Sequence, residues 1–194
     1  MAGCLAFSSE THNKVVNLGN MTMALKNANT SVLLENVAQM IKDNVSDDVS
    51  PLICSFTKIL YGDMSEDDIA IRSDSDLYGA ALSLWGTLNE RKPYEQVIKV
   101  YNPVLSRHGW QPTKTIVEIV HEDMPFLVDS VNMALKRLSI NSHLSLHYPM
   151  SVSRDSKSNI VSVAGLKNKS NQTEDVTVFL IEIDRLDSET VLSL

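Results

Sequence analysis

The sequence predicts an α+β fold: N-terminal helices, then a truncated sheet with helices packed on one face. Three observations predict it. Apolar residues recur at helical three- and four-residue spacing as far as Pro93. Beyond Pro93 the pattern changes to short β-branched runs and to strict alternation. From Thr115 the elements then read strand, helix, strand, strand, helix start. The expected organisation is a weakly ordered arm over 1–28, a helical subdomain over 29–93, and an α+β domain over 94–194 that is cut off as its second helix opens.

Residues 1–28 mix Ser, Thr, Asn and Gly with scattered Met and Val and hold no sustained period. From Thr30 the spacing of Leu33, Val37, Met40, Ile41 and Asn44 predicts a helix to about Asp43, with Thr30 or Ser31 as its cap. Ser50-Pro51 reads as cap and first helical position of a second helix, its face formed by Leu52, Phe56, Ile59 and Leu60 and its stop by Gly62. Ser65 followed by Asp68 is a loose capping box for a brief acidic helix through Ile71. Ser73 and Asp76 open the strongest helix, striped by Leu77, Ala81, Leu84, Trp85 and Leu88 until Pro93 forbids continuation. Gly79 and Gly86 lie seven apart on one side of it, which predicts a groove that admits a neighbouring helix.

Val97-Ile-Lys-Val-Tyr101 reads as a strand closed by Asn102-Pro103. Thr115-Ile-Val-Glu-Ile-Val-His121 reads as a second strand, apolar on both faces and therefore central. A helix follows at once, with Asp123 as its cap, Pro125 in its first turn, and Leu127, Val131, Ala134, Leu135 and Leu138 on one face. In the next strand Leu144, Leu146, Tyr148, Met150 and Val152 alternate with His143, Ser145, His147, Ser151 and Ser153, so one face is wet or meets an interface. Residues 154–159 are turn chemistry, 160–163 a hairpin return, 165–175 a polar loop, 176–183 the last strand, and 187–194 a helix start. A right-handed crossover makes the strand at Thr115 parallel to the one at His143, as in a ferredoxin-like sheet.

Charge and composition exclude several functions. A formal net charge of −7 and a pI near 5.2 repel phosphate backbones and anionic lipid head groups, so neither nucleic acid nor membrane is an expected partner. No apolar run approaches the roughly 20 residues of a spanning helix, and no secretory leader pattern opens the chain. A cytoplasmic location is expected. Cys4 and Cys54 stand far apart without a CxxC partner, so they build neither a thiol redox site nor a zinc site. His143 and His147, four residues apart on a strand, lie roughly 13 Å from each other at about 3.3 Å per residue, too far for one ion. No metal site is expected.

Four blocks follow one another in order: Asp76-Leu-Tyr-Gly-Ala-Ala-Leu-Ser-Leu-Trp, Val100-Tyr-Asn-Pro, His108-Gly-Trp-Gln and Val117-Glu-Ile-Val-His-Glu-Asp-Met-Pro-Phe-Leu-Val-Asp-Ser-Val-Asn-Met-Ala-Leu. Together they resemble the N-terminal region of the large, bacterial-type NAD-specific glutamate dehydrogenases, and the likeness extends more weakly from about Asp76 to Asp187. The resemblance implies a parent enzyme, homo-oligomeric, that oxidises L-glutamate with NAD and water to 2-oxoglutarate, ammonium and NADH. Asp123-Met-Pro-Phe-Leu-Val also looks like the opening turn of the ACT module, a small regulatory domain, except that Phe126 stands where that module usually has Gly. If this domain is ACT-like, its missing fourth strand has a candidate replacement in residues 97–101.

The chain itself offers no dinucleotide cradle. Its seven glycines lie at 3, 19, 62, 79, 86, 109 and 165, so neither GxGxxG nor a P-loop can be written anywhere. The expectation is therefore no catalytic residue and no cofactor here, with NAD held by other parts of the parent. His121, Glu122 and Asp123 with Asp129 and Ser130 are the ingredients of acid–base chemistry. Asp123 is expected to be spent as a cap, and the other two lie one to two turns further on. A contact with a small amino-acid effector or with the remaining domains of the parent is expected instead at Glu122, Asp123, Met124, Pro125 and Phe126, with Trp110 as a loop anchor for a neighbouring domain. Two rivals remain: a free-standing ACT-like amino-acid sensor, and a small hydrolase whose pocket joins residues 121–123 to His143 or His147.

Overall fold

The computed structural model describes residues 31–62, 64–166 and 173–193. The expectations for the arm over 1–28, for Thr30 as a cap and for most of the polar loop fall outside these residues. Helix α1 runs over 31–44, followed by α2 (Ser50–Gly62), α3 (Glu66–Ala70) and α4 (Asp74–Glu90). Ser65 and Ser73 cap α3 and α4, each hydroxyl accepting from the backbone N–H three residues on at 3.1 Å. The buried face of α2 is rotated from the expected one. Ile53, Phe56, Thr57, Leu60 and Tyr61 point inward, while Leu52 and Ile59 are only half-buried; Thr57 can lie inside because its hydroxyl donates to the carbonyl of Ile53 at 2.8 Å.

The sheet comprises β1 (Val97–Tyr101), β2 (Thr115–Glu122), β3 (Ser142–Arg154), β4 (Ile160–Gly165) and β5 (Glu174–Ile183) in the order β1-β2-β5-β3-β4, with every neighbouring pair antiparallel. The short α5 (Leu105–His108) joins β1 to β2, α6 (Leu127–Arg137) joins β2 to β3, and α7 (Ser188–Ser193) follows β5. Because β2 and β3 both lie antiparallel to β5, they run in the same direction with β5 between them. This is the split strand–helix–strand unit expected from Thr115 onward, and β1 completes the sheet beside β2. On the outer side of β3, β4 pairs only from Met150 to Arg154, so residues 142–149 form an edge with no described strand beside it.

Strand alternation gives the sheet two cores. Ile116, Val120, Leu144, Leu146, Met150, Val176, Val178 and Leu180 face the N-terminal helices, and this cluster runs unbroken across position 93 into Phe56, Leu84, Trp85 and Leu88. Phe56 and Trp85 meet edge to face at 5.6 Å. On the other face Val117, Ile119, Phe179, Ile181 and Ile183 are covered by Leu127, Val128, Val131 and Leu135 of α6, none of which is fully buried. The N-terminal helices therefore hold a deep core, and α6 lies over a thin one.

Two positions depart from the helical groove expected at α4. A β-carbon at Gly79 would stand 2.4 Å from Trp110 Cγ, so the space is filled by an indole rather than by a second helix. At Gly86 nothing lies within 4 Å. Strand β2 is also not wholly apolar inside. Glu118 is fully buried, accepting from Thr87 at 2.5 Å and from the Tyr101 hydroxyl at 2.7 Å, and Ser83 meets the same tyrosine at 2.6 Å.

Candidate functional site

Residues 122–126 carry the chain from the end of β2 to α6, at the end of the sheet where β5 begins. The Asp123 amide donates to the carbonyl of Asp175 at 2.9 Å, one residue beyond the last β2–β5 pair, Glu122 with Val176. Its carboxylate accepts the Thr177 hydroxyl at 2.6 Å. Asp123 is thus tied sideways to β5 and does not cap α6, and Pro125 precedes the helix instead of lying in its first turn. The N-cap is Phe126, with φ 64° and ψ 10° and no side-chain cap. The reason is geometric. Pairing with β5 keeps the backbone extended through Asp123, and the turn into α6 must be completed within three residues, which a left-handed residue achieves.

The backbone shape that glycine would serve is therefore present, but a phenyl ring is carried on it. Phe126 is 78 % exposed and Met124 51 %. Met133 on α6 and Leu138 at its C-cap are also more than half exposed. A left-handed non-glycine residue costs about 1–2 kcal/mol, partly offset by glycine's greater freedom in the unfolded chain. Phe126→Gly should accordingly raise stability by about 0.5 kcal/mol in urea unfolding. An equal or lower midpoint would show that the turn is unstrained.

Beside the turn lies an open cleft of about 470 Å³ bordered by Arg91, Tyr94, Glu122, Asp123, Glu174 and Asp175. Arg91 is almost wholly buried, and it donates to the Glu95 carbonyl at 2.6 Å and pairs with Glu174 at 2.9 Å. Arg154 holds the other oxygen of Glu174 at 3.0 Å. Ser151 donates to Asp175 at 2.7 Å. Four carboxylates stand against two guanidiniums, Arg91 and Arg154, both paired with Glu174, while Arg91 Nη2 is buried without an acceptor among the described residues; the net negative remainder suits a cationic group, such as an ammonium or a partner's basic side chain, more than an anion. Neither Arg91 nor Glu174 carried a signal in the sequence, because their pairing spans 83 residues.

The remaining sequence candidates are dispersed. Trp110 is 3 % exposed and seated on Gly79, so it anchors this chain's own helix and is not available to a neighbouring domain. Gly109, at φ 76°, ends α5 and turns the indole inward. His121 Nδ1 lies 2.8 Å from the carbonyl of Glu122. Asp129 and Ser130 are exposed on α6. His143 Nε2 lies 2.6 Å from Asp184 and 2.8 Å from Lys114, at the opposite end of the sheet from residues 121–123. The His143 hydrogen bond, and after it that from Lys114, holds the Asp184 carboxyl below the usual carboxylate range. His147 stacks on Phe179 at 5.9 Å. Among the described residues the cavities bordered by His121 or Glu122 include neither His143 nor His147, which speaks against the shared pocket that a hydrolase requires. Among the described residues no three His, Cys, Asp or Glu side chains are placed to hold a metal ion, and no helix is long and apolar enough to cross a membrane.

Comparison with known proteins places this geometry in context. The family described as the glutamate dehydrogenase ACT1 domain matches residues 56–193. An NAD-specific glutamate dehydrogenase of Halomonas elongata is 32% identical over 153 residues, which is 79% of this chain and 10% of that protein. One from Pseudomonas aeruginosa is 32% identical over 145 residues, 75% of this chain and 9% of that protein. The chain thus spans about a tenth of the length of the curated relatives it matches. No solved structure matches it.

Proposed function

Because the chain belongs to the glutamate dehydrogenase ACT1 domain family, we propose that it is the N-terminal regulatory and assembly segment of an NAD-dependent glutamate dehydrogenase and has no catalytic site of its own. Oxidation of L-glutamate to 2-oxoglutarate and ammonium, with NAD as acceptor, then belongs to the rest of the parent polypeptide. The observation that carries this reading is Phe126, an exposed phenyl ring held on a left-handed backbone at the end of a paired strand. Strain of this kind persists where a contact uses it. Glu122, Asp123, Met124, Pro125 and Phe126 are read as the surface that meets the remaining domains of the parent, the aromatic ring supplying area and the adjoining carboxylates receiving a basic group.

Among the described residues β4 pairs with β3 only from Met150 to Arg154, and a sheet edge that no described strand covers supports self-association as the second role, since such an edge can take up another strand. A net charge of −7 supports a cytoplasmic setting away from nucleic acid and anionic membranes. Calorimetric titration of the chain with NAD, 2-oxoglutarate and the common amino acids tests the reading. NAD and 2-oxoglutarate should give no saturable heat. Saturable NAD binding would contradict it, and tight binding of one amino acid by a strictly monomeric chain would favour a free-standing sensor.

A further inference from the structure

The part of β3 that no described strand covers on its outer side contains a segment that reads the same in both directions, His143-Leu-Ser-Leu-His147. Leu144 and Leu146 are buried toward the N-terminal helices, and His143, Ser145 and His147 are exposed on the opposite face. Residues 142–149 include no Asp, Glu, Lys or Arg, the charges with which an edge strand ordinarily repels another strand. The sheet's other edge, β1, is five residues long and carries Lys99, paired with Glu90 at 2.7 Å. The β3 edge is interrupted only at its ends, by a bulge between Ser142 and Leu144 and by Pro149, which has no N–H to donate.

A strand whose sequence is its own reverse is matched to a second copy of itself. Antiparallel pairing about a two-fold axis at Ser145 sets like residues opposite one another. Leu144 meets the partner's Leu146 on the helix face, and His143 meets the partner's His147 on the other. An axis at Leu146 would instead set His147 against the partner's Ser145. Side chains directly opposite in such a ladder have β-carbons about 4.5–5.5 Å apart, so two imidazole pairs would flank the axis at Ser145.

Imidazole gains its charge as the pH falls from about 8 to 5. Lys114, in the loop before β2, lies 2.8 Å from His143 Nε2, and Asp184, just beyond β5, lies 2.6 Å from it. His147 faces the Phe179 ring of β5. On the same side of the sheet α6 carries Asp129, Lys136 and Arg137, all exposed. Tyr148 and Asp68 border the groove along the edge, and Asp68 accepts from the Ser65 hydroxyl at 2.6 Å. With both imidazoles neutral, the pair has one cation and one carboxylate against it, Lys114 and Asp184. Protonation of both rings adds two positive charges and no negative one, and like charges facing across a ladder oppose pairing.

We propose that two copies of this chain join edge to edge through β3 about a two-fold axis at Ser145, and that acid separates them by charging His143 against the partner's His147. The inference rests on the self-association reading of this edge and adds its register and its control.

Sedimentation equilibrium of the chain at pH 7.5 and pH 5.5 tests it. The chain should be dimeric at pH 7.5, with a Kd at least about tenfold higher at pH 5.5. His147→Gln, neutral at both values, should keep the dimer and lose most of that dependence. Ser145→Cys should give a disulfide-linked dimer on mild oxidation, which neither the unaltered chain nor Ser162→Cys on β4 should give. Equal Kd at the two pH values would overturn the proposal. So would equal acid dissociation of His147→Gln, which would point to unfolding, or cross-linking by Leu146→Cys and not by Ser145→Cys. In those cases self-association through the edge would still stand if Ser145→Lys split the dimer. A chain that is monomeric at pH 7.5 up to about 100 µM, or a dimer that Ser145→Lys leaves intact, would overturn both.

Discussion

Gly79→Ala should destabilise the chain by about 2–3 kcal/mol, although alanine is the better helix former by about 1 kcal/mol. The new methyl would meet Trp110 at three atoms, 2.4 Å from Cγ, 2.6 Å from Cβ and 2.7 Å from Cδ1. These lie at the root of the indole, where no rotation of a flexible tip relieves the clash, so the ring must leave a site where it is 3 % exposed. Gly86→Ala is the internal control. Nothing lies within 4 Å of its added carbon, so only the propensity gain remains and the helix should be stabilised by up to about 1 kcal/mol. Urea unfolding of both variants checks the pair. Gly79→Ala at or above the stability of the unaltered chain would mean that Trp110 does not occupy α4's missing side chain.

Above about pH 10 the folded chain should lose stability steeply, by about 1.4 kcal/mol per pH unit for each of two tyrosines. Burial pushes the Tyr61 hydroxyl far above its ordinary value, against a smaller lowering by Arg72. Burial does the same at Tyr101, with the Glu118 carboxylate adding to it. Both phenols are therefore retained as neutral donors, Tyr61 to the Leu77 carbonyl at 2.7 Å and Tyr101 to Glu118. In the unfolded chain each titrates near pH 10. The folded pKa being raised, the contribution is complete below that value. It declines as the pH climbs toward the folded one, because only the unfolded state then releases the proton. Tyr61→Phe should cost about 1 kcal/mol at neutral pH by removing one hydrogen bond and should roughly halve the alkaline slope. An unchanged slope between pH 10 and 11.5 in that variant would show that Tyr61 ionises without unfolding.

Much of the architecture was legible because it is local. The stripe Leu77, Ala81, Leu84, Trp85 and Leu88 is buried as its spacing requires, and β3 alternates from Leu144 to Met150 as read, although Ser151, expected on the wet face, is buried against Asp175. Ser65 and Ser73 cap their helices. The errors cluster where a side chain had a choice of partners. Asp123 had a sound local reason to cap α6, but its carboxylate is taken by Thr177, 54 residues away. Trp110 sits in a loop whose composition gives no hint that Gly79 awaits it. Glu118 reads as an interruption in an apolar strand until Thr87 and Tyr101 close on it.

The order of the main helices and strands, the buried stripe of α4, and the lack of any glycine turn able to cradle a pyrophosphate were settled by the amino-acid sequence alone, since they depend on residues within a few positions of each other. The tertiary structure alone decided which distant groups meet: Gly79 with Trp110, Arg91 with Glu174, Asp123 with Thr177, and β1 at the edge of β2. Period and propensity record how a segment turns about its own axis. They carry no record of where the chain returns in space, and it is that return which leaves Phe126 outside and seals Glu118 within.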